Sequence, residues 1–280
     1  MNPSSDVVTV ERRDHVAIVW LDRPERLNAF GPGFWIEFPS IVDALAEDDS
    51  VRVLVVAGKG RAFTSGLDLT AFAPSMASGD LDPHATAPPS GVAHRRATYR
   101  MIKKMQRTFS ALADCPKPVV AAVHGYCIGA GVDLITACDI RYAAADTTFS
   151  VRETRIGMVA DVGTLQRLPA IVDPSSLAEV VYTGKDFGAS EALAMRLVTR
   201  VEPDAEAVLE AALRTAEAIA RNSPLAVQGT KAVLSAATRS GVADHLDYVA
   251  LWNAAFLHSD DLAEAMAAFV DKREPRFEGH

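Results

Sequence analysis

Paired cysteines, membrane-length apolar runs and a surplus of positive charge are all missing from this chain. Its three cysteines, Cys115, Cys127 and Cys138, are odd in number and none stands in a C-x-x-C pair. That pattern argues against a disulfide framework or a structural zinc site and fits a reducing cytosol. No uninterrupted apolar stretch is long enough to cross a bilayer. The opening MNPSSDVVTVERRD carries no apolar core of a secretory signal, and the closing FEGH does not match a peroxisomal tripeptide. A cytoplasmic protein that engages no membrane is the expectation. Asp and Glu outnumber Lys and Arg by 36 to 28, for a formal charge of −8, so a surface built to grip nucleic acid is disfavoured. His15, His245 and His258 show no metal-ligand grouping, and the glycine-rich turn at 125–131 matches neither phosphate-binding fingerprint. Neither a metal nor a cofactor is expected.

What is present is material for a packed core: 280 residues, 49% of them hydrophobic. VVTVERRDHVAIVWL reads as two short strands around a turn at Arg13-Asp14. GFWIEFPSIVDALAED has helical spacing, with Pro39 expected to break or kink it. VRVLVVAG, a continuous apolar run, reads as a strand buried on both faces. Residues 74–91 are rich in Pro, Ser, Ala, Gly and Asp, as in a mobile loop that serves either as a lid or as a surface insertion. RATYRMIKKMQRTFSALADC is helical, its basic residues forming a solvated face. PKPVVAAVHGYCIGAGVDLITACDIRYAAADTTFSV then reads as strand, glycine-rich turn, short helix, strand, turn and strand. From about residue 201 the segments are alanine-rich and helical, with Asp204 and Ser259 as N-caps. The chain thus divides into an α/β core, 1–200, and a helical region, 201–280.

Two features of the core suggest chemistry. HGYCIGAGVDL joins an apolar strand to a helix, and its glycines allow close backbone approach where the free N–H groups of a helix start point outward. GRAFTSGLDL leaves the preceding strand in a second loop. Two such loops on neighbouring strands would aim two N–H groups at one oxygen, although each also reads as a plain strand exit. The second feature is FSVRETRIGMVADVGTLQRLP, with Glu153 and Asp161 in apolar surroundings. Alone, Glu153 also reads as a partner of Arg152 or Arg155, Asp161 as the cap of the following helix, and Asp133 as a first-turn helix acid. His124 reads as a packed histidine at a strand end, Cys138 as inert core, and Ser65 lacks the G-x-S-x-G context of a nucleophile.

Taken together, LDRPERLNAF, AFTSGLDL, CPKPVVAAVHGYCIGAGVDLITACDIRYAAADTTFSV and GTLQRLP, in order over residues 16–170 and extended by ASEALAMRLVTRV, resemble the enoyl-CoA hydratase/isomerase (crotonase) superfamily. The resemblance implies an α/β spiral of repeated ββα units with a helical C-terminal region. It also implies an acyl-CoA thioester substrate, an enolate-like intermediate, and a trimer or dimer of trimers. It places the oxyanion-hole N–H groups at Leu67 and Ala130, where Ala130 departs from the commoner glycine, and substrate contacts at Ser65, Gly66, Asp68 and Gly129. Asp133, Glu153 and Asp161 match the acids of the Δ3,5-Δ2,4-dienoyl-CoA isomerase branch, whereas typical hydratases have glycine where this chain has Asp161. In that branch Glu153 is the base at C2, Asp161 the acid at C6, and Asp133 a support for the pair. A 2-enoyl-CoA hydratase and a non-catalytic acyl-CoA-binding member are the alternatives.

Overall fold

The computed structural model describes residues 7–82, 84–86, 91–238, 246–247, 250–251, 253–255, 258–273 and 275. A six-stranded sheet runs in the order β1 (Val8–Arg13), β2 (Val16–Leu21), β3 (Val53–Gly58), β4 (Val119–Val123), β6 (Ile140–Ala144), β9 (Arg200–Glu202). Only β1 and β2 are antiparallel neighbours; the remaining pairs are parallel. The β1–β2 hairpin turns at Asp14 and His15, one residue later than the sequence suggests, with Asp14 in the left-handed region at φ 48°. A three-stranded sheet, β5 (Tyr126–Ile128), β7 (Thr148–Ser150) and β8 (Phe187–Gly188), stands beside the first.

Two of the parallel strands each feed a short strand and then a helical turn. β4 leads to β5 and to α4 (Ala130–Thr136), and β6 leads to β7 and on to α5 (Thr164–Arg167). This is the expected spiral of ββα units. The short strand β5 was hidden in the sequence, because its three residues lie between two glycines and read as part of the turn.

The period-two alternation of β3 and β4 sorts their side chains onto two buried faces. Val53, Val55, Val120 and Ala122 pack under α8 (Ala205–Ala220) through Val208, Ala211, Ala212 and Ala216. Leu54, Val56, Val119 and Ala121 face the other way, into a core shared with α1 (Pro32–Glu47) and α3 (Gly91–Asp114). Helix α3 buries Met101, Ile102, Met105, Phe109 and Leu112, a stripe at helical spacing. Its charged face is solvated and paired, Lys103 with Asp247 and Arg107 with Asp43.

Two proline expectations are corrected. Pro39 does not break α1, which runs through it from Pro32 to Glu47. Proline lacks the N–H that would bond the carbonyl of Trp35 one turn earlier. The Thr108 hydroxyl of α3 supplies that donor instead, at 3.1 Å. Nor is the segment from Pro74 to Gly91 one loop. Pro74 falls within α2 (Leu69–Ser78), which Gly79 ends in the left-handed conformation at φ 70°, and α3 already begins at Gly91. Residues 79–82 and 84–86 are irregular or turn, while 83 and 87–90 lie outside the described residues.

After β9 every described element is helical: α8, α9 (Pro224–Thr238), the described residues 246–247, 250–251 and 253–255, and α10 (Asp260–Asp271). Asp204 and Ser259 cap α8 and α10 through their side chains, as expected. His245, in the segment 239–245, lies outside the described residues.

Candidate active site

Two loops meet at the site because short strand pairing draws them together. Thr64 pairs with β5, its N–H donating to Tyr126 O at 2.8 Å and its carbonyl accepting from Ile128 N at 3.2 Å. Gly66 then turns the chain at φ 84°. A Cβ there would stand 2.4 Å from the Ile128 carbonyl oxygen, so only glycine permits the approach. Phe30 holds the next residues, donating to Gly66 O at 2.7 Å and accepting from Asp68 N at 3.1 Å. That parallel bridge turns the N–H of Leu67 away from Phe30. On the other loop Gly129, at φ 52°, precedes α4, and Ala130 is the first helical residue, whose N–H has no helical acceptor. Among the described residues neither the Leu67 nor the Ala130 N–H meets an acceptor.

Both residues line a cavity of about 110 Å³ with Ser65 and Gly129. Trp35, Met105, Ile156 and Met158 form apolar walls, and Glu153 and Asp161 supply the carboxyl groups. The methyl group of Ala130 does not close the site.

Glu153 opens a short 3-10 turn, Glu153–Ile156, directly after β7 and Val151-Arg152. Its Oε1 faces Gly129, where a Cβ would come within 3.2 Å. Its Oε2 is buried without a partner among the described residues. Arg152 does not pair with it; that guanidinium binds Asp186. Asp161 caps no helix, since α5 starts after Gly163. Its Oδ2 accepts from Asn253 Nδ2 at 2.7 Å and its backbone carbonyl from Gln106 Nε2 at 2.7 Å. Asp133 is fully buried on α4 and accepts from Thr164 N at 2.5 Å through Oδ1, while its Oδ2 has no partner among the described residues. It does not line the cavity but stands behind it.

The three carboxyl groups influence one another. Burial, then the charge of Asp133, pushes Glu153 up to about 8, and Asp161 adds to the rise. Burial raises Asp161 to about 7, against the Asn253 hydrogen bond, with Asp133 again raising it. Burial also lifts Asp133 to about 6, while Thr164 and the charge of Arg167 oppose the rise. They titrate as a group, and near neutrality the cavity holds protons.

Of the residues expected to bind substrate, Ser65 and Gly129 line the cavity and Gly66 shapes it. Asp68 is engaged elsewhere: its carboxylate caps α2 through Ala71 N at 3.0 Å and lies 3.7 Å from Arg23. The packed histidine is confirmed, His124 being buried with Nε2 at 2.9 Å from Gly60 O. The Cys138 thiol is buried and pushed up to about 12 by that burial. Among the described residues no group of three His, Cys, Asp or Glu is placed to hold a metal. Sequence reading missed Asn253. A signal was available: Leu246, Ala250, Asn253 and Ala254 make one buried helical stripe, in which the amide is the polar exception.

Two backbone N–H groups, unpaired among the described residues and facing an apolar pocket with carboxyl groups, suit the class of enzymes that stabilise an oxyanion while moving protons. The pattern of the enoyl-CoA hydratase/isomerase family matches residues 11–280, and the chain belongs to that family. It is 44% identical to the peroxisomal Δ(3,5)-Δ(2,4)-dienoyl-CoA isomerase of Arabidopsis thaliana over 260 residues, 92% of this chain and 90% of that one. Identity to the mitochondrial Δ(3,5)-Δ(2,4)-dienoyl-CoA isomerase of Homo sapiens is also 44%, covering 93% of this chain and 77% of the human one. The crystal structure of an enoyl-CoA hydratase/isomerase from Xanthobacter autotrophicus Py2 superposes with a TM-score of 0.84 at 30% identity, over 96% of this chain and 94% of that one. No helix among the described residues is long and apolar enough to cross a membrane.

Proposed function

We propose that this protein isomerises 3,5-dienoyl-CoA to 2,4-dienoyl-CoA, a step of fatty acid β-oxidation. The observation that carries this reading is Asp161, a second buried carboxyl group lining the same cavity as Glu153. The reaction removes a proton from C2 and adds one at C6, four bonds away, through a dienolate whose charge reaches the thioester oxygen. Glu153, in its ionised form, takes the C2 proton. The N–H groups of Leu67 and Ala130 receive the oxygen. Asp161, protonated, delivers to C6. Asp133 lies behind both and acts through its charge and through its hold on Thr164 N. Proton relocation leaves the oxidation level of the acyl chain unchanged, so the chemistry requires no redox cofactor, and coenzyme A belongs to the substrate.

The working form carries one proton on the Glu153–Asp161 pair. Burial raises both groups, so a pair carrying a single proton persists to near-neutral pH. Turnover is expected to follow a bell-shaped pH profile whose two limbs belong to the pair, not to either residue. The hydratase alternative would set Asp133 and Glu153 on one water, and the absence of Asp133 from the cavity wall speaks against it.

A trimer or dimer of trimers is part of the proposal. Leu225, Val233, Phe269 and Val270 stand exposed on the C-terminal helices, where a subunit contact would bury them. The cytoplasm is the proposed compartment, although the two isomerases named above are peroxisomal and mitochondrial proteins.

Purified protein is assayed side by side with a 3,5-dienoyl-CoA and a 2-enoyl-CoA. Growth of the conjugated 2,4-dienoyl chromophore supports the isomerase. Loss of enoyl absorbance with the second substrate alone supports the hydratase. Binding without turnover of either points to a non-catalytic member.

A further inference from the structure

Asn253 comes from the C-terminal helical segment, far in sequence from the three acids, and is buried. Its Nδ2 donates to Val159 O at 2.8 Å and to Asp161 Oδ2 at 2.7 Å. A backbone carbonyl accepts only, so the nitrogen of the amide, not its oxygen, must face this pair, and the amide orientation is fixed. A second amide repeats the arrangement on the main chain: Gln106 Nε2 donates to Asp161 O at 2.7 Å and to Leu246 O at 2.9 Å. The C-terminal segment is thereby tied to both the side chain and the backbone of Asp161.

The two oxygens of Asp161 are not equivalent. Oδ2 is occupied as an acceptor. Oδ1 bonds no described protein group, and Asp161 lines the cavity. A proton on the carboxyl group therefore resides on Oδ1, the oxygen free to meet a ligand. When that proton leaves for carbon, negative charge forms on the carboxylate, and Asn253 already donates to it.

We propose that Asn253 is a positioning residue that confines the acidic proton of Asp161 to Oδ1 and stabilises the carboxylate left once the proton has been delivered. This rests on the reading of Asp161 as the C6 acid. The ionisable groups facing Asp161 are Asp133 on α4 and Glu153 after β7. Neither donates a hydrogen bond to it, so among the described residues the Asn253 amide is the side chain that favours its charged form.

The test uses the full-length chain and the variants Asn253→Leu, Asn253→Ser and Asp161→Asn. Two readouts are taken: kcat and KM for a 3,5-dienoyl-CoA across pH, and the infrared carbonyl band of protonated carboxyl groups across pH without substrate, with Asp161→Asn identifying the Asp161 contribution. In Asn253→Leu, kcat falls about tenfold to a hundredfold, the size of one hydrogen bond to a charged group, with KM changed less than about twofold. The alkaline limb of the kcat profile and the Asp161 band both move up by about one pH unit. Asn253→Ser, which keeps a small donor, falls between Leu and Asn, and it replaces Asn253→Leu if that variant does not fold. A limb and a band that stay in place overturn the proposal even if kcat drops, because a merely structural defect lowers kcat without moving either. Should the unmodified protein fail to isomerise, the isomerase reading fails, and the infrared band alone still decides whether Asn253 governs the Asp161 proton.

Discussion

Gly66 and Ala130 bring the two loops of the oxyanion site almost into contact: a Cβ on Gly66 would lie 3.5 Å from the Ala130 nitrogen and 2.4 Å from the Ile128 carbonyl oxygen. No side chain fits there without parting the loops, and the positive φ of 84° adds backbone strain. Gly66→Ala is expected to lower kcat/KM by about a hundredfold or more, the usual cost of one lost oxyanion donor. A folded variant by circular dichroism, with activity within tenfold of the parent, would contradict the placement of the donors.

Separate roles for Glu153 and Asp161 predict separable partial reactions. In deuterated buffer Glu153→Gln is expected to lose both exchange at C2 and formation of the 2,4-diene. Asp161→Asn retains C2 exchange but forms product about 10²- to 10⁴-fold more slowly, the range for a lost general acid. Mass spectrometry of recovered acyl-CoA measures the label. Equal loss of exchange in both variants would mean that the acids act as one unit and not in sequence.

The core was legible from its apolar runs, because a parallel strand buried on both faces, such as β3, is an unbroken apolar stretch whatever else surrounds it. The two loops that bring Leu67 and Ala130 to the cavity were legible too, since glycine spacing and family resemblance mark a backbone conformation that few sequences need. What stayed hidden depends on contacts between distant segments. Nothing local reveals that Thr108 completes α1 across Pro39, or that Asn253 reaches Asp161. Asp133 shows the same limit: its place in a helix was readable, but not that Thr164 N would turn its carboxyl group away from the cavity wall.

Asp133 carries a consequence for stability. Burial raises it to about 6 from an ordinary carboxylate value. A raised acid contributes stability that is fully present below its unfolded pKa, near 4, and lost as pH rises through the folded value. Asp133→Asn removes that loss while its Oδ1 can still accept from Thr164 N. The variant is expected to be more stable than the parent at pH 8, by up to about 3 kcal/mol for a shift of roughly two units, and to converge with it towards pH 4. Denaturant unfolding at several pH values between 5 and 8 provides the check; a difference independent of pH would place the charge of Asp133 elsewhere.

Thr108 and Pro39 should be energetically coupled. The Thr108 hydroxyl donates to the Trp35 carbonyl that Pro39 cannot serve. Thr108→Val leaves that buried carbonyl without a donor and is expected to cost about 1–3 kcal/mol. In a Pro39→Ala background the alanine N–H takes over the helical bond, and the same Thr108→Val change should cost less by about 1 kcal/mol or more. Unfolding free energies of the parent, both single variants and the double variant form the cycle that measures it. If Thr108→Val costs the same in both backgrounds, the hydroxyl is not what carries α1 through its proline.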